Sequence, residues 1–279
     1  MPELPEVEII KRQLNKEVVG FKIADVWCDA PRMLQPSAEV FVEGVSGKTI
    51  GEVRRRAKLL VFRLSKGKDN EGFFIVHLKL SGRLLARRKD DPPDDFVHVI
   101  LHLVKGRQKL QLRFAEARKF GYMQYVGDKE ELEKIFNEFG PEPLGDLTKE
   151  KFQRILKGNK RKIKEVLMDQ KVIAGVGNIY ANEALWLAKI HPETQSFSLS
   201  VSQLANLFEA LQSVLQEALK EGGASDQWYR QIHGEMGQYQ NSFKVYQRED
   251  EPCLWCKTPI QRIEVGSRGT FYCPSCQKV

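Results

Sequence analysis

The chain has 279 residues, 42% of them hydrophobic, enough to bury a substantial core and to divide into two domains or more. No stretch approaches the roughly 18 apolar residues of a membrane-spanning helix. Nothing resembles a charged-apolar-small signal peptide either, so a soluble, cytoplasmic protein without a membrane partner is expected. The net charge of +7 and a pI near 9.1 come with clustered bases. Arg54-Arg55-Arg56 with Lys58 form one group, and Lys157 with Lys160-Arg161-Lys162 and Lys164 another. Such clusters are the usual footprint of a phosphate-backbone partner; a solvated face is the other reading of the same charges.

The chain opens Met1-Pro2-Glu3-Leu4-Pro5-Glu6. If Met1 is removed, Pro2 becomes a terminal secondary amine with the Glu3 carboxylic acid beside it. An α-amine with a reference pKa of roughly 7.7–8.0 is partly neutral near pH 7 and is then a good carbon nucleophile. Its attack on a sugar's anomeric carbon leads to an iminium, and Glu3 can supply the proton that opens the ring. The alternative is an extended lead-in whose Pro5 starts a helix, and taken alone these residues favour it.

Val7, Ile10, Leu14 and Val18 recur at helical spacing, predicting an amphipathic helix over residues 5–18 that stops at Gly20. Short β-like runs follow at 21–27, 40–45, 49–56, 59–64, 73–80, 97–104 and 109–114, with loops at 67–70 and 90–95. Many short strands at this spacing predict a sandwich or barrel reaching about Val126. Residues 129–139 read as helix, 140–143 as a linker, and 148–219 as helical apart from 170–178 and 191–198. Within the first gap, Gly175-Val176-Gly177-Asn178 opens a helix. Glycines there let a backbone come close, and the free N–H groups suit phosphate; a tight turn between two helices needs glycine as well. Residues 223–241 are expected to form a long exposed loop.

Cys253-x2-Cys256-x16-Cys273-x2-Cys276 places two Cys-x-x-Cys pairs near the C-terminus. Four thiolates converging tetrahedrally make a closed, structural site for one Zn2+ ion; two redox pairs are the competing reading. Between the pairs, strands at 260–265 and 270–272 are joined by Gly266-Ser267-Arg268-Gly269, a hairpin whose tip presents Arg268. Arg268 suits a phosphate or an orphaned base. Cys28 has no visible partner and reads as a small buried hydrophobe.

Together, Pro2-Glu3-Leu4-Pro5-Glu6-Val7-Glu8, Gln170-x4-Gly175-Val176-Gly177-Asn178-Ile179-Tyr180-Ala181 and Arg268-Gly-Thr-Phe-Tyr-Cys-Pro-x-Cys-Gln277 resemble the bacterial formamidopyrimidine-DNA glycosylase family. Arg55-Arg56-Ala57-Lys58, His77-Leu78-x-Leu80-Ser81-Gly82 and Gly140-Pro-Glu-Pro-Leu144 extend the likeness along the chain in the expected order. Leu4 favours this branch over the related endonuclease VIII enzymes, which open Pro-Glu-Gly-Pro.

The resemblance implies an α+β multidomain fold: an N-terminal β-sandwich with an N-terminal helix, a helix-two-turn-helix domain and a C-terminal zinc-finger β-hairpin, with DNA gripped in the cleft between domains. The implied division is 1–127, a linker at 128–147, the helical domain at 148–222, a lesion-covering loop at 223–241 and the zinc finger at 242–279. It also implies a bifunctional glycosylase and AP lyase of base excision repair. Such an enzyme acts on double-stranded DNA containing oxidised bases or abasic sites; for this chain a monomer is expected. By position Pro2 is the nucleophile, Glu3 the acid and Glu6 a supporting carboxylate. Lys58, Asn178 and Arg268 hold phosphates, with His77 nearby, while Leu80, Arg118 and Phe120 enter the duplex where the damaged nucleotide leaves. Core packing is the other reading of Leu80 and Phe120.

Three places depart from the family pattern. Leu80 stands where methionine is usual, and Glu116-Ala-Arg-Lys-Phe-Gly121 where Asp-Pro-Arg-Arg-Phe-Gly is usual, so a turn has lost its proline. Gly222-Gly223-Ala224-Ser225 replaces Gly-Gly-Thr-Thr at the start of the lesion loop, where Ser225, Gln227 and Tyr239 are the expected contacts. An endonuclease VIII-like preference for oxidised pyrimidines and a catalytically silent DNA-binding relative therefore stay open.

Overall fold

The computed structural model describes residues 1–66 and 70–278. They form two compact units, Met1–Asn137 with Glu221–Gln238, and Glu138–Lys220 with Tyr239–Val279. Among the described residues no helix is long and apolar enough to cross a membrane.

The first unit starts with helix α1, Leu4–Glu17. Pro5 sits in its first turn, where a missing N–H costs nothing, and Glu6 caps the start by accepting from Glu3 N at 2.8 Å. Val7, Ile10 and Leu14 are fully buried, so one face of α1 lies on the sheet. The strands are β1 Lys22–Cys28, β2 Leu34–Gln35, β3 Thr49–Arg56, β4 Leu59–Lys66, β5 Asn70–His77, β6 Arg83–Arg87, β7 Val97–Lys105, β8 Gln108–Ala115 and β9 Tyr122–Val126. Their order is β2-β9-β5-β4-β3-β1-β7-β8-β6. β3 and β1 are in register only at Lys22↔Thr49, so two halves, antiparallel except where β2 runs parallel to β9, meet at a narrow seam. Both halves feed one apolar cluster, with Phe62, Phe74 and Val76 from one and Leu84, Leu101, Leu112 and Phe114 from the other. This is the packing of a sandwich.

Residues 40–45, expected as a strand, belong instead to helix α2, Ala38–Val45. Ser37 caps it by accepting from Val40 N, and the buried pair Phe41 and Val45 has helical spacing while Val40 is exposed. β-branched residues suggested a strand, but burial of one helical face outweighs that weak preference. β2, β6 and β9 had no counterpart in the expectation. Strand β5 ends at His77 rather than at residue 80, because Gly82 N closes onto Leu78 O at 2.9 Å. Residues 67–69 of the expected loop at 67–70 lie outside the described residues, and Asn70 already opens β5. Cys28 is half-buried and packs against the unit's apolar cluster. Helix α3, Lys129–Phe136, completes the unit, capped by Asp128.

The second unit is built on α4 Lys149–Lys157, α5 Ile163–Met168, α6 Asn178–Leu187 and α7 Val201–Lys220, and it ends in the hairpin β10 Gln261–Val265 and β11 Arg268–Tyr272. Gly266 and Ser267 both have φ +57°, making a two-residue hairpin turn. Arg268 is therefore the first residue of β11, opposite Val265, rather than part of a four-residue tip.

Residues 223–241 are not an exposed loop throughout. Tyr229 and Ile232 join the core of the first unit, and Tyr239 is fully buried in the second. The segment is held by its own polar groups. Gly237 approaches so closely that a Cβ there would lie 2.1 Å from Gly223 O.

Candidate active site and nucleic-acid interface

In the first unit the opening residues are enclosed. Pro2 is buried, Glu3 is 2% exposed and Glu6 1%, whereas Met1 is 46% exposed. Glu6 is bidentate across two segments: Oε2 accepts from Glu3 N and Oε1 from Ala224 N, both at 2.8 Å. One carboxylate thus ties the start of α1 to the segment after α7. Gly223 makes this possible, since its φ is +82° and a Cβ would come within 3.0 Å of Glu6 Oε1 and of the Tyr229 ring. Ser225, 3% exposed, donates from Oγ to Tyr229 O and accepts from Gly237 N, both at 2.9 Å. The Ser225 hydroxyl therefore closes the segment on itself. Gln227 is exposed. Tyr239 does not share this setting: in the second unit its ring packs against Tyr180 at 5.6 Å and Phe243 at 5.7 Å.

Lys58 lies in the β3–β4 turn, after Ala57 at φ +52°, and is 6% exposed. Its neighbour Arg55 is not a phosphate ligand in waiting. Arg55 Nε bonds Glu8 Oε2 at 3.1 Å and Nη1 bonds Ala57 O at 2.9 Å, pinning the turn to α1. Arg54 pairs with Glu52. Within the first basic cluster Arg55 is thus spent on the fold. Within the second, Lys164 is fully buried on Gly269 O and Thr270 Oγ1, while Arg161 and Lys162 make exposed pairs with Asp169 and Glu193.

His77 ends β5 opposite Leu59, and its Nδ1 accepts from Lys79 N at 2.9 Å, which leaves the proton on Nε2. Burial, then the charges of Lys79 and Lys58, lower its pKa from 6.5 to about 3. Below pH 6.5 the unfolded chain gains a proton here that the folded protein refuses until the pH nears 3. The neutral ring's contribution is therefore complete above pH 6.5 and falls away as the pH drops toward 3. Urea unfolding at pH 8 and pH 5 should show a stability gap that His77→Gln narrows; an equal gap in the variant would refute this assignment.

Leu80 is 40% exposed, Phe120 57%, and Arg118 lies over the Phe120 ring at 5.0 Å. Core packing is excluded for these apolar side chains. Both stand out from the sheet's loops into solvent.

In the second unit the Gly175–Asn178 turn is held by the Gln170 amide, which accepts from Gly175 N at 2.9 Å and donates to Val176 O at 2.7 Å. Asn178 opens α6 and donates from Nδ2 to Gly269 O at 3.1 Å, next to Arg268 on β11. Asn182, one turn on, accepts from Phe271 N and donates to Asn178 O. Glu183 accepts from the amides of Lys244, Val245 and Tyr246. The start of α6 and the Arg268 hairpin thus form one scaffold. Sequence reasoning placed Lys164 in a basic cluster rather than in this scaffold and missed Asn182 and Glu183; polar residues in apolar helical runs were the available signal.

The Sγ atoms of Cys253, Cys256, Cys273 and Cys276 all lie within 4.8 Å of one another. A tetrahedral zinc with Zn–S bonds of about 2.3 Å sets its sulfurs roughly 3.8 Å apart, so the four cysteines fit one zinc ion. Trp255 in this finger stacks on Trp186 of α6 at 3.8 Å, and Gln277 bridges Cys273 N to Ile190 O.

Three family models match the chain. They are the formamidopyrimidine-DNA glycosylase N-terminal domain over residues 1–123, its H2TH domain over 139–229, and the zinc finger found in FPG and IleRS over 250–279. A formamidopyrimidine-DNA glycosylase of Herpetosiphon aurantiacus is 43% identical, covering 99% of this chain and 100% of the relative. One from Enterococcus faecalis is 40% identical over 100% of this chain and 98% of its own length. Lactococcus lactis Fpg in complex with abasic-site DNA superposes with a TM-score of 0.90 at 35% identity, covering 99% of this chain and 100% of that one. A MutM complex with carbocyclic 8-oxo-G DNA gives the same TM-score and identity over 100% of both chains. The protein belongs to the formamidopyrimidine-DNA glycosylase family.

Proposed function

We propose that this protein is a bifunctional DNA glycosylase and AP lyase of base excision repair, working in the cytoplasm as a monomer on double-stranded DNA. Its proposed substrates are oxidised purines, 8-oxoguanine and formamidopyrimidines, and abasic sites. The observation that carries this reading is the enclosed group Pro2, Glu3 and Glu6, with Glu6 reaching across to Ala224. Removal of Met1 converts the Pro2 nitrogen into a secondary amine enclosed beside Glu3 and Glu6. That nitrogen attacks C1′ of the damaged nucleotide, and Glu3 delivers the proton that opens the sugar ring. The base departs, and the C1′–N bond becomes an iminium. This electron sink permits loss of the 3′ phosphate by β-elimination and of the 5′ phosphate by δ-elimination, cutting the strand on both sides.

Lys58, Asn178 and Arg268 are the proposed phosphate contacts, with His77 as a neutral neighbour of Lys58. Leu80, Arg118 and Phe120 fill the stack vacated by the flipped nucleotide, which suits their exposure. Ser225 and Gln227 are proposed to face the base, and Tyr239 to support the segment's end. The Cys253, Cys256, Cys273 and Cys276 zinc site holds the Arg268 hairpin in shape. Excision from duplexes carrying 8-oxoguanine or an oxidised pyrimidine tests the lesion. Faster release of 8-oxoguanine is expected; a preference for the pyrimidine would move the protein to endonuclease VIII-like chemistry.

A further inference from the structure

Leu80 and the pair Arg118 and Phe120 sit on two different loops, one after β5 and one after β8. Nothing in their spacing along the chain makes these loops act together. One side chain joins them. Glu116 is fully buried, and its carboxylate accepts hydrogen bonds from four donors. Oε1 takes the Ser81 hydroxyl and Arg118 N, the latter at 3.3 Å. Oε2 takes the amides of Phe120 and Gly121, the latter at 3.2 Å. Ser81 directly follows Leu80, so both loops close on the same carboxylate.

Burial raises the carboxyl's pKa, but the bonds from Ser81, Gly121, Phe120 and Arg118 more than offset this and hold it below the ordinary carboxylate value. A buried charge with so many donors is stable only in one arrangement of those donors. The backbone is matched to it. Lys79 at φ +52° precedes Leu80 and Lys119 at φ +54° precedes Phe120, an uncommon conformation for side-chain-bearing residues. Gly121 leaves room that a Cβ would take, 2.6 Å from the Phe114 ring. The carboxylate thus fixes the turn from Glu116 to Gly121 and, through Ser81, the loop that carries Leu80.

We infer that Glu116 is a positioning residue that locks the two loops into a single wedge, so that Leu80, Arg118 and Phe120 enter the duplex together. It touches no substrate. Its effect falls on opening the duplex, not on the chemistry at Pro2. This rests on the proposed role of those three side chains in the duplex.

The test compares Glu116→Gln, Glu116→Asp and Ser81→Ala on two substrates: an 8-oxoguanine duplex, and a single-stranded oligonucleotide with an abasic site, which has no stack to open. A hydrogen bond to a charged acceptor is strong enough that Glu116→Gln should slow duplex excision by roughly ten- to a hundredfold, with single-strand cleavage changed less than about twofold. Glu116→Asp should recover most of the loss, because the charge returns. Ser81→Ala, which removes only the link between loops, should show a smaller loss on the duplex alone. A 2-aminopurine beside the lesion should lose its insertion-dependent fluorescence rise in Glu116→Gln. Equal losses on both substrates for every variant, or no duplex loss in Glu116→Gln and Ser81→Ala, would overturn the inference. Leu80→Ala and Phe120→Ala serve as controls. If they leave duplex excision unchanged, the wedge reading itself has failed, whatever Glu116 does.

Discussion

Replacing Pro2 by glycine is expected to reduce base removal by roughly a thousandfold or more, the scale seen when a covalent nucleophile is lost, while DNA binding stays close to that of the unaltered protein. Glycine keeps an amine after Met1 removal but lacks the ring that makes the nitrogen secondary and fixes its direction. Pro2, Glu3 and Glu6 are all enclosed, so the amine's aim is set by packing. The phosphate contacts proposed for Lys58, Asn178 and Arg268 do not depend on that ring. Gel-shift titration and glycosylase rates on the same duplex separate the two effects. Unchanged excision by the variant would exclude a requirement for the proline ring and its secondary nitrogen. Retention of Met1, read by intact mass, would block the same step in the natural chain.

The second large effect is expected at the zinc site. Cys273 is fully buried in an apolar cluster with Trp186, Val245, Ile260 and Phe271, and it begins directly after β11. Cys273→Ser, or chelation of zinc, removes the staple of a hairpin too small to be stable alone. Arg268 then loses its fixed position. A contact between charged groups is worth roughly 1.5–3 kcal/mol, so DNA affinity should fall by about ten- to a hundredfold. Fluorescence anisotropy with a lesion-analogue duplex, with and without zinc, measures this. Full binding by the zinc-free protein would disprove the supporting role.

The sequence was most legible where chemistry restricts residue choice. The two Cys-x-x-Cys pairs specified a zinc site, and Gly175-Val176-Gly177-Asn178 specified a turn into a helix, because few other residues do either job. It was less legible where neighbours in space decide. Ala38–Val45 is helical because Phe41 and Val45 find a core to face, which a run of β-branched residues does not announce. Arg55 and Lys164 look like surface bases, yet long-range partners, Glu8 for one and Gly269 with Thr270 for the other, draw them inside. Glu116 looked like a weakened turn until Ser81, 35 residues away, proved to share its carboxylate. Each of these depends on a contact between distant segments, and no local pattern carries that information.

Borohydride trapping on duplexes carrying 8-oxoguanine, an oxidised pyrimidine or an abasic site, with the adduct mapped by peptide mass spectrometry, tests Pro2 as the nucleophile most directly. A covalent adduct at Pro2 is expected on the abasic and 8-oxoguanine duplexes. An adduct on a lysine instead, or none on any duplex with tight binding retained, would contradict it.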